Sequence, residues 1–215
     1  MMVTDGDIGW DRIGVMADSH GRPEALEAGI STLRARGCSV LYHLGDICDS
    51  AYPENTAACV KIIERNGVLA VKGNNEHTVS INYVDRDDGA VSSSTAVYLG
   101  RLPLVRKLPG AVFCHSLPFE AELGLSAMVR MMESATAIHF GRLYPGQVLF
   151  RGHSHQPEII RCRANRAEAE PIPRDLRLEL ASARPCVVTC GALTDGLGLI
   201  WHTREDWICS IACDG

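Results

Sequence analysis

Residues 12–21 read RIGVMADSHG and residues 40–46 read VLYHLGD. Each is a short apolar run that stops in aspartate, glycine or histidine, and an apolar run of that length bounded by turn residues reads as a buried strand. The strands are placed at Arg12 to Ala17 and Val40 to Leu44. Between them, Leu26, Ile30 and Leu33 recur at i, i+4 and i+7, which predicts a helix from Pro23 to Arg36. Pro23 suits its first turn and Gly37 suits the position just past its end. The unit then repeats. Asn55 to Arg65 reads as a helix with Ala58, Cys59, Ile62 and Ile63 inward and Gly67 as its stop, and Val68 to Val71 reads as a third strand. Strands alternating with helices predict a parallel sheet with right-handed crossovers.

The second half is richer in strands. Ala96 to Leu99, Ala111 to Cys114, Val148 to Phe150, Glu158 to Arg161, Leu176 to Leu180, Val187 to Thr189, Leu199 to His202 and Trp207 to Ala212 are expected as strands, the last two as a hairpin. One helix is expected from Ser126 to Phe140, with Met128, Val129, Met132, Ala135 and Thr136 on a stripe. Arg163 to Pro173, polar and carrying two prolines, reads as an exposed loop; Glu76 to Ser94 and Leu117 to Gly124 read as loops lining a pocket. The pattern adds up to two sheets packed face to face with helices outside, as one domain over residues 1–215.

Composition bounds the function. The chain has 215 residues, 46% hydrophobic and 22% charged, close to the globular average of about 45–50% and about 25%, so an intrinsically disordered chain is excluded. No apolar run reaches the roughly 18 residues of a membrane span. The first residues carry Asp5, Asp7 and Asp11 and neither an early basic cluster nor an apolar core, so no secretory leader is expected. Twenty-one basic residues against 26 acidic leave a net charge of −5, which argues against broad nucleic-acid binding. Nine cysteines, an odd number with no leader, read as reduced thiols of a cytoplasmic protein. Cys186 with Cys190 and Cys209 with Cys213 have a spacing that could suggest zinc. Each pair sits in an expected strand, where i and i+4 are about 13 Å apart, so buried thiols are expected instead.

Aspartates and histidines collect just after strands: Asp18-Ser19-His20, Gly45-Asp46, Gly73-Asn74, Cys114-His115 and Gly152-His153-Ser154-His155. Ligand sites form beyond the carboxyl ends of parallel strands, so these five loops can converge on one cleft. Residues i and i+2 leaving a strand project to one side, which pairs Asp18 with His20 and His153 with His155. Carboxylates, imidazoles and one amide oxygen suit a divalent transition metal such as Mn²⁺, Fe²⁺ or Zn²⁺. Seven donors exceed one tetrahedral site, so two ions are expected. His43 reads as structural, His139 as packing, and the arginines around Arg161, Arg163 and Arg166 as a solvated edge.

The ordered set D-x-H, G-D, G-N, a lone His after a strand, and G-H-x-H resembles the calcineurin-like metallophosphoesterase superfamily, most of all its small single-domain bacterial and archaeal phosphodiesterases. The resemblance implies an α/β (α+β) four-layer sandwich of two mixed sheets flanked by helices. It implies one metal on Asp18, His20, Asp46 and His155 and another on Asp46, Asn74, His115 and His153, with Asp46 bridging. The two divalent ions would be Mn²⁺, with Fe, Zn or Ni as alternatives. It further implies hydrolysis of a small phosphorylated substrate by in-line attack of a bridging hydroxide on phosphorus. Many members carry a His directly after the G-N asparagine, where it protonates the leaving group. Here that residue is Asn75, which points to diesters or good leaving groups; His77, with Asp49 to orient it, is the candidate substitute. Two rival readings stay open: a phosphomonoesterase or nucleotide hydrolase on the same site, and a protein-binding scaffold of the same fold, as in the retromer's metallophosphoesterase-like subunit.

Overall fold

The computed structural model describes residues 11–83, 85 and 89–213. The N-terminal stretch read for a leader, with Asp5 and Asp7, lies outside them.

Two mixed six-stranded sheets pack face to face. In the first, β1 (Arg12–Met16), β2 (Val40–His43) and β3 (Leu69–Ala70) run parallel, with Met16 beside His43 and His43 beside Ala70. On the other side of β1, the antiparallel strands β11 (Leu197–His202), β12 (Trp207–Ala212) and β9 (Arg177–Glu179) complete the sheet. In the second, β5 (Ala111–Cys114), β6 (Val148–Arg151) and β10 (Cys186–Thr189) are parallel. They are flanked by β4 (Val105–Leu108) and by the pair β7 (Glu158–Cys162) and β8 (Ala167–Pro171). The parallel strands of both sheets therefore present their carboxyl ends to loops that carry the candidate ligands.

Apolar side chains facing between the sheets hold them together. Tyr42 stacks on Phe113 with ring centroids 4.0 Å apart, Phe113 on Phe150 at 5.3 Å, and Phe150 meets Trp201 at 5.1 Å, amid the buried Ile13, Val15, Leu44, Val188 and Leu199. Aromatic pairs at such separations add to the burial of their own area. Outside the first sheet lie α1 (Pro23–Ala35), α2 (Thr56–Arg65), α3 (Asn74–Tyr83) and α4 (Ser93–Arg101), over Leu26, Leu33, Ile63, Val79 and Leu99. Outside the second lie α5 (Glu120–Leu123) and α6 (Ser134–Leu143), over Phe119, Ala137 and Phe140. The four layers match the expectation.

Several local expectations fail. Ala96 to Leu99 is helical, within α4, because Ser92 caps it by accepting from Thr95 N at 3.2 Å and Thr95, Ala96 and Leu99 share its buried face. The helix expected from Ser126 to Phe140 is broken: residues 124–128 form a 3-10 turn, and α6 starts only at Ser134, after Glu133 in extended backbone. Arg163 to Pro173 contains β8, paired along β7. Its proline stands in the edge strand, where a missing N–H is tolerated. The loop expected from Glu76 opens as α3. Leu117 to Gly124 includes α5, and β4 had no counterpart in the reading. Ala58 is exposed; α2 buries Thr56, Cys59, Val60, Ile62 and Ile63 instead. Among the described residues the cysteines form no disulfide, and all but Cys209 are buried.

Candidate metal centre

The seven candidate ligands come together. His20 Nε2 stands 3.2 Å from His155 Nε2, 3.9 Å from Asp18 Oδ1 and 4.0 Å from Asp46 Oδ2. His155 Nε2 is 3.6 Å from Asp18 Oδ1. On the other side, His115 Nε2 is 3.5 Å from Asp46 Oδ1, 3.1 Å from Asn74 Oδ1 and 3.1 Å from His153 Nδ1. Two groups have the spacing of metal ligands: Asp18 with His20 and His155, and Asp18 with Asp46 and His115.

The backbone that does this is not the extended alternation expected from i and i+2. Asp18 (φ 56°), His20 (φ 43°), Asp46 (φ 56°), His153 (φ 72°) and His155 (φ 62°) all lie in the left-handed region. Asp and His tolerate that region better than most residues, and such strain collects at functional sites. The loops are tied to each other: Asp18 N donates to Gly45 O (3.0 Å), His20 N to Asp46 O (3.0 Å) and Gly152 N to His115 O (3.0 Å). His153 N donates to Asp18 Oδ2 at 3.0 Å and so joins the two sheets. A Cβ on Gly152 would lie 2.7 Å from that same Oδ2, so the approach needs glycine.

The donor set fits divalent metal. Asp18 is fully buried, and its Oδ1 has no hydrogen-bond partner among the described residues. A buried, orphaned carboxylate oxygen aimed at imidazoles is what a cation would satisfy. Burial, and then the neighbouring Asp46 charge, push the Asp18 carboxyl well above the usual carboxylate range. Burial likewise pushes His115, His153 and His155 down, so these imidazoles are neutral near pH 7, the form that ligates. His115 Nδ1 lies 2.8 Å from Leu44 O. Donating to that carbonyl fixes the tautomer and leaves Nε2 free to ligate.

Three supporting residues escaped the sequence reading. The Glu76 carboxylate is fully buried and accepts from Asp46 N (2.8 Å), Ile47 N (2.8 Å), Cys48 N (3.0 Å) and Gly73 N (2.8 Å). It holds the Asp46 loop on the α3 loop; burial and the Asp46 charge raise its pKa. A glutamate three residues after Gly73, reaching back to its N–H, was the available signal. Asp195 Oδ2 lies 3.9 Å from His155 Nδ1; in sequence it is only one turn residue among many. Arg151 is almost wholly buried beneath the histidine loops, and its signal was a basic residue ending an apolar strand.

The remaining candidates take other places, Asn75 bracing Asp46 and the others lying apart from the seven. Asn75 Nδ2 donates to Asp46 Oδ2 at 2.7 Å, and its Oδ1 accepts from Ser50 N at 2.9 Å. Asp49 Oδ1 accepts from Ala51 N and Tyr52 N (2.8 and 3.2 Å), a local turn with no link to His77. His43 is buried against Ser19 Oγ at 3.1 Å. His139 packs on the Phe119 ring, as expected, at the surface and 3.2 Å from Glu122. Arg161 and Arg166 pair with Glu170 and Glu168 at the outer edge.

A sandwich of two mixed sheets with acidic and imidazole side chains at the ends of its parallel strands is the architecture of a metallophosphoesterase. Residues 12–171 match the model of the calcineurin-like phosphoesterase superfamily domain, and the chain belongs to that superfamily. It is 26% identical over 163 residues to an uncharacterised protein of Methanocaldococcus jannaschii, a match over 68% of this chain and 63% of that relative's length. A metallophosphoesterase of Sphaerobacter thermophilus superposes with a TM-score of 0.74 at 22% identity, over 94% of this chain and 87% of the other. A proposed diadenosine tetraphosphatase superposes with a TM-score of 0.59 at 17% identity, over 95% and 94%. No helix among the described residues is long and apolar enough to cross a membrane.

Proposed function

We propose that the chain is a dinuclear metal-dependent phosphodiesterase, acting as one domain over residues 1–215 on a small phosphorylated substrate. The observation that carries the reading is the division of the Asp46 carboxylate, whose Oδ2 faces His20 and whose Oδ1 faces His115. A carboxylate can bridge because its two oxygens offer separate lone pairs. Asp18, His20, Asp46 and His155 would hold one ion, and Asp46, Asn74, His115 and His153 the other, with Mn²⁺ ahead of Fe, Zn or Ni. Divalent ions held there would supply Lewis acidity and an activated water for in-line attack at phosphorus.

The chain's own residues do the rest. The imidazoles of His115, His153 and His155, neutral near pH 7, would subtract nothing from the charge of bound cations, which would draw in a phosphate anion despite the acidic net charge. Leu44 O orients His115, and Asp195 stands where it can orient His155. Asn75 stands where many members of the superfamily carry the histidine that protonates the leaving group. Its carboxamide has no titrating proton, and both of its ends are engaged. Among the described residues no hydrogen bond or ion pair links the His77 side chain to the seven. A site without a proton donor at that place favours a diester with a stable leaving group over a monoester with a poor one. Thiols without disulfides support a reducing, cytoplasmic setting.

Turnover of bis-nitrophenyl phosphate and of nitrophenyl phosphate, with Mn²⁺ and after chelation, tests this. The expected result is a kcat/KM at least about tenfold higher for the diester, abolished by chelation and by Asp46→Ala with the circular dichroism unchanged. Equal turnover by rigorously metal-free protein overturns the metal reading. Preference for the monoester selects the phosphomonoesterase or nucleotide-hydrolase reading, and neither turnover nor metal uptake selects the scaffold.

A further inference from the structure

Arg151 ends β6 with 1% of its surface exposed, and among the described residues no carboxylate lies within ion-pair range of it. Burial lowers its pKa. Arginine is almost never fully buried unless paired, and an unpaired buried charge is costly. Its donors go instead to neutral acceptors. Nε reaches Ser116 O at 3.0 Å and Nη2 reaches Ser116 Oγ at 3.3 Å; Nη1 reaches Ser154 Oγ at 3.2 Å and Thr189 Oγ1 at 3.1 Å. Ser116 follows His115, Ser154 lies between His153 and His155, and Thr189 is the registered neighbour of Arg151 on β10. One planar fork thus joins the ends of three strands and the two loops whose imidazoles meet at 3.1 Å.

A fixed positive charge beside a cation site opposes the cation by Coulomb repulsion. Its presence has to be offset by what its hydrogen bonds do, and they add side-chain ties between the His115 and His153 loops to the backbone bond from Gly152 N to His115 O. We propose that Arg151 is the positioning residue that raises the affinity of the Asn74–His115–His153 side of the centre for its divalent cation. It does so by locking those two loops together. The inference rests on the ligand assignment proposed above and adds to it a residue outside the ligand set.

The sign of the effect separates the two roles of the guanidinium. Mn²⁺ is titrated calorimetrically into the chelator-stripped wild type, Arg151→Lys, which keeps the charge and loses the fork, and Arg151→Gln, which loses both. In both variants one binding event is expected to weaken about 10–100-fold, the scale of outer-shell changes at metal sites, while the other is unchanged. Tighter binding in Arg151→Gln, the outcome if charge alone matters, overturns the proposal, as does an equal loss in both events. Should the arginine variants fail to fold, Ser154→Ala removes one acceptor. It is expected to weaken the same event about threefold, the scale of one hydrogen bond, with an unchanged thermal midpoint; no change in binding overturns the proposal. A wild type that takes up none of Mn²⁺, Fe²⁺, Zn²⁺ and Ni²⁺ defeats the ligand assignment, whereas two normal events in every variant defeat only the role of Arg151.

Discussion

Asp18, His20, Asp46, His153 and His155 point at one another because each stands in left-handed backbone directly beyond a strand. The chain meets that requirement by bringing glycines into the tightest approaches. Gly73 has Asp46 packed where a side chain would begin, and a Cβ there would contact Asp46 Oδ1 and stand 2.5 Å from Asp46 N. Neither atom can move without moving the carboxylate. Gly73→Ala is therefore expected to lower turnover by about 100-fold, the scale of a catalytic group displaced by about 1 Å, while the circular dichroism stays that of the wild type. Near-normal kcat/KM would show that the Asp46 loop tolerates displacement. The identities of the seven side chains were legible because chemistry resides in residue types and strand ends mark where they collect. The backbone angle was not legible, because extended and left-handed aspartates look alike in a sequence.

Whole elements were read well where their periodicity was long and their ends were punctuated. The helix at Pro23 has a proline start, a glycine beyond its end and a three-point apolar stripe, and it forms within a residue of expectation. Short runs were ambiguous. Ala96 to Leu99 is too short for its periodicity to separate strand from helix, and the Ser92 cap decides it. That cap is testable: Ser92→Ala is expected to destabilise the protein by about 1 kcal/mol, lowering the thermal midpoint by about 2–4 °C and leaving turnover intact. An unchanged midpoint would mean that packing on Leu99 alone holds α4. The stripe from Ser126 to Phe140 misled in the opposite direction. It contains Met128, which is buried, and Val129, which is more than half exposed, so the pattern did not correspond to one face.

Across the molecule, the site is built at a junction between sheets and its supports are buried, which ties folding to protonation. Burial pushes the His43 imidazole down to about 3. The unfolded chain, titrating near about 6.5, binds a proton that the folded one refuses. Stability from this group is complete above about 6.5 and is lost as pH falls toward about 3. Denaturant unfolding of the metal-free protein across this range should show stability falling with acidification. In His43→Gln, which keeps a donor for Ser19, the slope should be shallower by up to about 1.4 kcal/mol per pH unit. Parallel profiles for the two proteins would place the linked proton elsewhere.

From order and spacing alone, the chain declares alternating strands and helices, a sandwich of sheets, and seven oxygen and nitrogen atoms as candidate donors. These are local properties: apolar period, turn residues, and side-chain chemistry next to each other along the backbone. Which donors face which is not local. Asp46 divides its oxygens between histidines that lie 26 residues before it and 69 after it, at His20 and His115. Asn75 turns to Asp46 and Ser50, Glu76 gathers the Asp46 loop, and Arg151 clasps two histidine loops with no carboxylate in ion-pair range among the described residues. Such pairings depend on the register of parallel strands and on the packing of one sheet against the other. Only the folded chain sets both.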